Sequence, residues 1–210
     1  MSLTVVFVRH GESQANQEHR LVSEAFDPPL TAQGFREAEQ FARLWQDQGV
    51  GALVSSPLKR TRQTAQVIAE VLGIETIHID PRLHEIKLGV FDGQSIDYLE
   101  QEGDEAYRHW KRDPESPSLG GERLSQVYSR MQGFLQDLLT QQTEGLIMAT
   151  THADCLKAIA IGILKAPWEA AQRLHFGNLA ALKVISRDAT FQLQALPMAP
   201  LKSSVLKKFV

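Results

Sequence analysis

Leu3-Thr4-Val5-Val6-Phe7-Val8-Arg9-His10-Gly11-Glu12 is the stretch on which the fold turns. A short apolar run, mostly β-branched, reads as a buried strand. It stops abruptly on Arg9-His10-Gly11. In open α/β sheets, ligands sit beyond the carboxyl ends of the strands, which makes a charged pair followed by glycine a candidate working surface. The competing reading is a strand that merely ends in polar loop residues. The remainder of the chain has to decide between them.

Working outward, Glu12 to Pro29 is polar and irregular, and Asp27-Pro28-Pro29-Leu30 marks a turn. Thr31 is placed to cap a helix over 32–48, with Phe35, Ala38, Ala42 and Trp45 at helical spacing and Gly49 as its stop. Residues 50–56 form a second apolar run, after which Pro57 opens a helix carrying Leu58, Ala65, Ile68, Ala69 and Leu72 and ending at Gly73. A third strand is expected over 75–80 and two short helices over 95–112. Residues 113–121 read as a loop, too short for a domain linker. The clearest helix runs over 122–142, its stripe formed by Leu124, Val127, Tyr128, Met131, Leu135, Leu138 and Leu139. A buried strand over 145–151 ends at His152, and a helix follows with Leu156, Ile159, Ala160, Ile163 and Leu164 inward. Two last strands are expected near 180–186 and 190–196. Such alternation predicts a three-layer α/β/α sandwich with a mostly parallel central sheet, as one domain over 1–210.

Composition narrows the function. The chain has 210 residues, is 43% hydrophobic and 22% charged, and carries a net charge of −3. That balance makes no electrostatic case for nucleic acid or an anionic membrane, so an anionic ligand would need locally placed arginines. One cysteine, Cys155, permits no intrachain disulfide. With no signal-like segment and an N-terminal apolar run too short to span a bilayer, a cytoplasmic setting is expected. Oligomeric state, monomer or homodimer, stays open.

Three strand-to-helix junctions share one feature. They end in Arg9-His10-Gly11, in Ser55-Ser56-Pro57-Leu58-Lys59-Arg60, and in Thr151-His152. In one mostly parallel sheet these converge, bringing two histidines and two arginines to helix N-termini, a trap for phosphate or a similar oxyanion. Arg60 falls in a first helical turn, where a cation opposes the helix dipole and a bound anion or a nearby carboxylate would relieve it. Lys59 and Arg62 read as solvated charges. His19, His78, His84, His109 and His175 have no such placement, and Glu85 alone is an ordinary loop carboxylate.

Val8-Arg9-His10-Gly11-Glu12-Ser13 resembles the signature of the phosphoglycerate-mutase-like histidine phosphatases. The resemblance continues in register through Asn16, through Ser55 to Ala65 with Arg60, through Leu83-His84-Glu85 with Gly89 and Gly93, through Gly120-Gly121-Glu122, and to His152. It implies a phosphoglycerate-mutase-like fold. It also implies a phosphomonoesterase needing neither metal nor cofactor, acting on a small phosphorylated metabolite through a phosphohistidine on His10. Arg9, Arg60 and His152 would hold the phosphoryl oxygens, Asn16 and Ala153 would add substrate contacts, and Glu85 would be the proton donor. Two departures stand out: Ala153-Asp154 follows His152 where glycine is common, and Arg123 stands where serine is frequent. Asp154 is favourable at a helix N-terminus for its own sake; the competing reading, implied by the resemblance to a distant branch of the superfamily, is that it assists or replaces Glu85 as proton donor. Rival readings are a cofactor-dependent phosphoglycerate mutase, a non-catalytic phosphate-binding regulatory module, and a zinc hydrolase using His10, His152 and Glu85. Mutases of the family usually carry tryptophan where this chain has Ala15, and arginines beside a cation disfavour zinc. Residues 17–30 and 94–120 are expected to line the entrance.

Overall fold

The computed structural model describes residues 3–141, 143–188 and 190–194. Its centre is strand β1, Leu3–Arg9, flanked by β4, Gly145–Thr151, in parallel and by β5, Ala181–Arg187, antiparallel. Beyond β4 lie β2, Val50–Ser55, and β3, Ile77–Ile79, both parallel; beyond β5 lies β6, Thr190–Gln194, antiparallel. The order β3-β2-β4-β1-β5-β6 thus joins four parallel strands to an antiparallel pair.

Strand alternation splits the core in two. Leu3, Val5 and Phe7 of β1 join Ile147 and Ala149 of β4 on the face covered by α6, Leu124–Thr140, and α7, Ala153–Leu164. Val6, Val8, Leu53 and Met148 face the other way, against α2, Ala32–Arg43, and α3, Lys59–Leu72. Burial on both faces is why β1 and β4 read as unbroken apolar runs rather than alternating ones. The three layers are those expected.

Element boundaries differ in places. Helix α2 ends at Arg43, tightened by bonds from Leu44 and Trp45 amides to the Phe41 and Ala42 carbonyls, while Gly49, at φ +69°, turns the chain into β2. Phe35 is 39% exposed, because the buried stripe of α2 is Gly34, Ala38 and Ala42. Pro57 lies before α3 rather than inside its first turn, and Leu58 is the cap. Strand β3 keeps three residues of the six expected. The two short helices are α4, Ile96–Gln101, and α5, Glu105–Arg112. The ends of two expected elements, Gln142 and residues 195–196, lie outside the described residues.

One close backbone approach ties α2 to the site. A β-carbon on Gly11 would stand 2.6 Å from the Gly34 carbonyl oxygen, and one on Gly34 would collide with the Glu12 carbonyl oxygen. Only hydrogen fits at either position. Thr31 caps α2 by accepting the Gly34 amide at 3.0 Å, and its own amide donates to the Glu12 carbonyl at 2.9 Å.

Candidate active site

The carboxyl ends of β1, β2 and β4 deliver His10, Ser56 and His152 to one edge of the sheet, as neighbouring strands must. The amides of His10 and Ser56 continue the pairing by donating to the Thr151 and Thr150 carbonyls, each at 3.0 Å. The two imidazoles meet edge to face with centroids 5.3 Å apart. Both are buried.

His10 Nδ1 lies 2.8 Å from the Gly11 carbonyl, which can only accept, so that nitrogen carries the proton. Nε2 keeps a lone pair and receives the Arg60 Nε–H at 3.3 Å. Burial, then the charges of Arg60 and Arg9, hold the His10 pKa well below the usual imidazole value. A neutral imidazole with its lone pair fixed on Nε2, beside Arg60, results.

Arg60 is buried in the first turn of α3, and its remaining nitrogens are engaged: Nη1 donates to Asp27 at 3.3 Å and Nη2 to the Val22 carbonyl at 3.3 Å. Asp27 also accepts the Lys59 amide at 2.6 Å. One carboxylate therefore offsets both the helix N-terminus and the arginine that opposes it. The side chains of Lys59 and Arg62 are exposed. Arg9 Nη1 donates to the Phe176 carbonyl at 2.7 Å, while its Nε is buried without a partner among the described residues.

Asn16 closes a capping box with Ser13 at the short helix α1, Gln14–Gln17. Its Oδ1 accepts the Ser13 amide at 3.1 Å and Asn178 Nδ2 at 3.2 Å, an assignment that leaves its NH2 as the free donor. Ala153 is the first residue of α7, where a helix has amide N–H groups without internal partners.

Glu85 is 8% exposed on the loop after β3. Its Oε1 accepts the Ile86 amide at 2.9 Å. Burial, with the charge of Asp154 next in size, pushes its carboxyl up to about 7. The loop is tied from behind by β4 and α7: Thr151 Oγ1 donates to the Leu83 carbonyl at 2.7 Å, and the Cys155 thiol, held up at about 12 by burial, donates to the His84 carbonyl at 3.0 Å. Asp154 is paired with Lys157 at 2.8 Å within α7.

Residues 22–25, in the first of the expected entrance segments, fold against Arg60 and against the loop just before the second. Asp92 accepts the Ser23, Glu24 and Ala25 amides and the Ser23 hydroxyl at 2.7–2.9 Å. Glu24 then reaches Lys87 at 3.1 Å and His84 Nε2 at 3.5 Å.

The structure brings His10, Arg9, Arg60 and His152 to one sheet edge, with Asn16 and Ala153 on adjoining helix starts and Glu85 within electrostatic reach of both arginines. Sequence reasoning missed Asn178, whose Nδ2 donates to the His10 carbonyl at 3.1 Å, and the roles of Ser56, Asp27 and Asp92. A Gly177-Asn178 turn was the one available signal for Asn178.

A six-stranded, mostly parallel sheet between helices, with imidazoles and guanidiniums gathered at the ends of its central strands, is the architecture of the phosphoglycerate-mutase-like α/β/α proteins. The chain belongs to the histidine phosphatase superfamily (branch 1), whose family model matches residues 5–197, and as such it is an enzyme acting on phosphomonoesters. It is 33% identical over 187 residues to the probable phosphoglycerate mutase GpmB of Cronobacter sakazakii, covering 87% of this chain and 84% of the relative. Its fold matches that of a mycobacterial glucosyl-3-phosphoglycerate phosphatase solved with VO3, at a TM-score of 0.83 and 23% identity over 93% of this chain and 99% of the other. It also matches a phosphoserine phosphatase from Entamoeba histolytica solved with 3-phosphoglyceric acid, at a TM-score of 0.80 and 23% identity over 94% and 98% of the two chains. Among the described residues, no helix is long and apolar enough to cross a membrane.

Proposed function

We propose that the protein hydrolyses a small phosphorylated metabolite through a phosphohistidine at His10 Nε2. The carrying observation is the imidazole itself, neutral, buried and tautomerically fixed by Gly11, with its lone pair beside Arg60. In the first step that lone pair attacks phosphorus in line, the P–O bond to the metabolite breaks, and Glu85 protonates the departing oxygen. A carboxyl held near 7 is about half protonated at neutral pH, so the acid form that the role requires is populated. In the second step Glu85, now a carboxylate, takes a proton from water as the water attacks the phosphohistidine. Inorganic phosphate leaves and His10 is restored. Arg9, Arg60, His152, the Asn16 NH2 and the Ala153 amide supply the positive charge and donors around the equatorial oxygens, the work a metal ion does in other phosphoryl-transfer sites.

A mutase reading is favoured by the name of the GpmB relative. Hydrolysis is supported by Ala15 at the position where mutases of the resembling family carry tryptophan. One experiment separates the readings. With a 32P-labelled aryl phosphate, rapid quenching should trap an acid-labile, base-stable phosphoenzyme in the wild type and none in His10→Ala, with label chased into inorganic phosphate. Label on serine, or full turnover in His10→Ala, overturns the nucleophile. Strong stimulation by 2,3-bisphosphoglycerate, with label passing to monophosphoglycerate instead of water, makes the protein a mutase.

A further inference from the structure

Ser56 touches no reacting group in the scheme above, yet its side chain is fully buried against one that does. Its Oγ lies 2.9 Å from His152 Nε2. The geometry there has only one arrangement that satisfies the donors. The Ser56 carbonyl already accepts the Ser55 hydroxyl at 2.8 Å, and the Ser56 Oγ receives the Leu58 amide at 3.5 Å. Among the described residues the hydroxyl proton has a single acceptor in reach, the lone pair of His152 Nε2.

Were His152 to donate from Nε2 instead, a buried hydroxyl proton would be left without an acceptor, at a cost of roughly 1–3 kcal/mol. Nδ1 would then present a lone pair to whatever lies beyond it. Nδ1 is one of two buried side-chain polar atoms without a partner among the described residues, the other being Arg9 Nε; both belong to residues beside His10. Burial and the nearby Arg60 charge keep the ring neutral, so one nitrogen alone holds the proton.

We propose that Ser56 is a positioning residue that fixes His152 as its Nδ1–H tautomer, turning the imidazole into a neutral hydrogen-bond donor for a phosphoryl oxygen. The part concerning phosphate rests on the function proposed above; the tautomer does not. A neutral donor suits this place. An imidazolium would add a third cation beside Arg9 and Arg60, and the opposite tautomer would aim a lone pair at an anion.

The test is a long-range 1H–15N correlation spectrum of the full chain labelled with 15N-histidine, at neutral pH, with His152 assigned by its loss in His152→Gln. The wild type should show a protonated Nδ1 and an unprotonated Nε2 at His152. Ser56→Ala should move the proton partly or wholly to Nε2 and lower kcat for an aryl phosphate by about 100-fold, the scale of losing one preorganised donor. Ser56→Thr, which keeps the hydroxyl, should retain the wild-type tautomer and recover most of that loss. A wild-type spectrum with the proton on Nε2, or on both nitrogens, overturns the proposal even if no variant folds. So does a Ser56→Ala protein with unchanged tautomer and full activity. A correct tautomer in a protein that forms no phosphoenzyme would sink the proposed hydrolysis and leave the Ser56 assignment standing.

Discussion

Glu85 and His10 are pushed in opposite directions by the same burial. Desolvation raises a carboxyl and lowers an imidazole, because it penalises whichever form is charged. At the same pH one residue thereby retains a proton and the other a lone pair, as the proposed roles require. The charge of Asp154 adds to the first effect, although Asp154 itself is tied to Lys157. For Glu85→Gln, the single-turnover rate of phosphoenzyme formation from an alkyl phosphate should fall by about 10²–10⁴-fold, within the usual range for general acid catalysis, and much less from a nitrophenyl ester whose leaving group needs no proton. Equal losses on both substrates would remove Glu85 from the proton-donor role. Asp154→Asn should move the alkaline limb of the pH–rate profile, which falls as Glu85 loses its proton near 7, to lower pH.

At the scale of elements, β1 and its sharp stop were readable because both faces of the strand are buried and its end is charged. Of the small-residue stripe of α2, Ala38 and Ala42 were readable and Gly34 was not, since periodicity weighs Phe35 above Gly34. Backbone contact made the choice: Gly34 lies on the Glu12 carbonyl, and no side chain can enter. Gly34→Ala should cost about 3 kcal/mol or more, as overpacking does, lowering the melting temperature by roughly 6–12 °C. It should also reduce turnover by displacing the loop that carries His10. A fully stable, fully active variant would mean that α2 can slide off the loop. Other parts of the site were illegible for a different reason. Asn178 reaches the His10 carbonyl and Arg9 reaches the Phe176 carbonyl, and a backbone acceptor has no residue-type signature. Asp92 has no sequence signal of its own, because the Ser23 to Ala25 amides that it accepts come from a distant segment of the chain.

For the whole molecule, the buried titrating groups set a stability profile with two sides. The folded pKa values of His10 and His152 are depressed, so their contribution is present above the unfolded value near 6.5 and is lost as pH falls below it. The folded pKa of Glu85 is raised, so its contribution is full below about 4.5 and is lost as pH rises through about 7. His152→Gln should therefore flatten the acid side of a melting-temperature profile and Glu85→Gln the alkaline side. Parallel profiles for both variants and the wild type would contradict this burial.

The bond from Arg9 to the Phe176 carbonyl spans 167 residues of sequence. Asn178, two residues further on, holds the backbone of His10 itself. The residues that open the chain are thus finished by residues made near its end. During synthesis His10 leaves the ribosome early, and its setting forms only once Phe176 and Asn178 have followed. A nascent chain that displays this signature but has not yet released residues 176–178 should therefore be inactive.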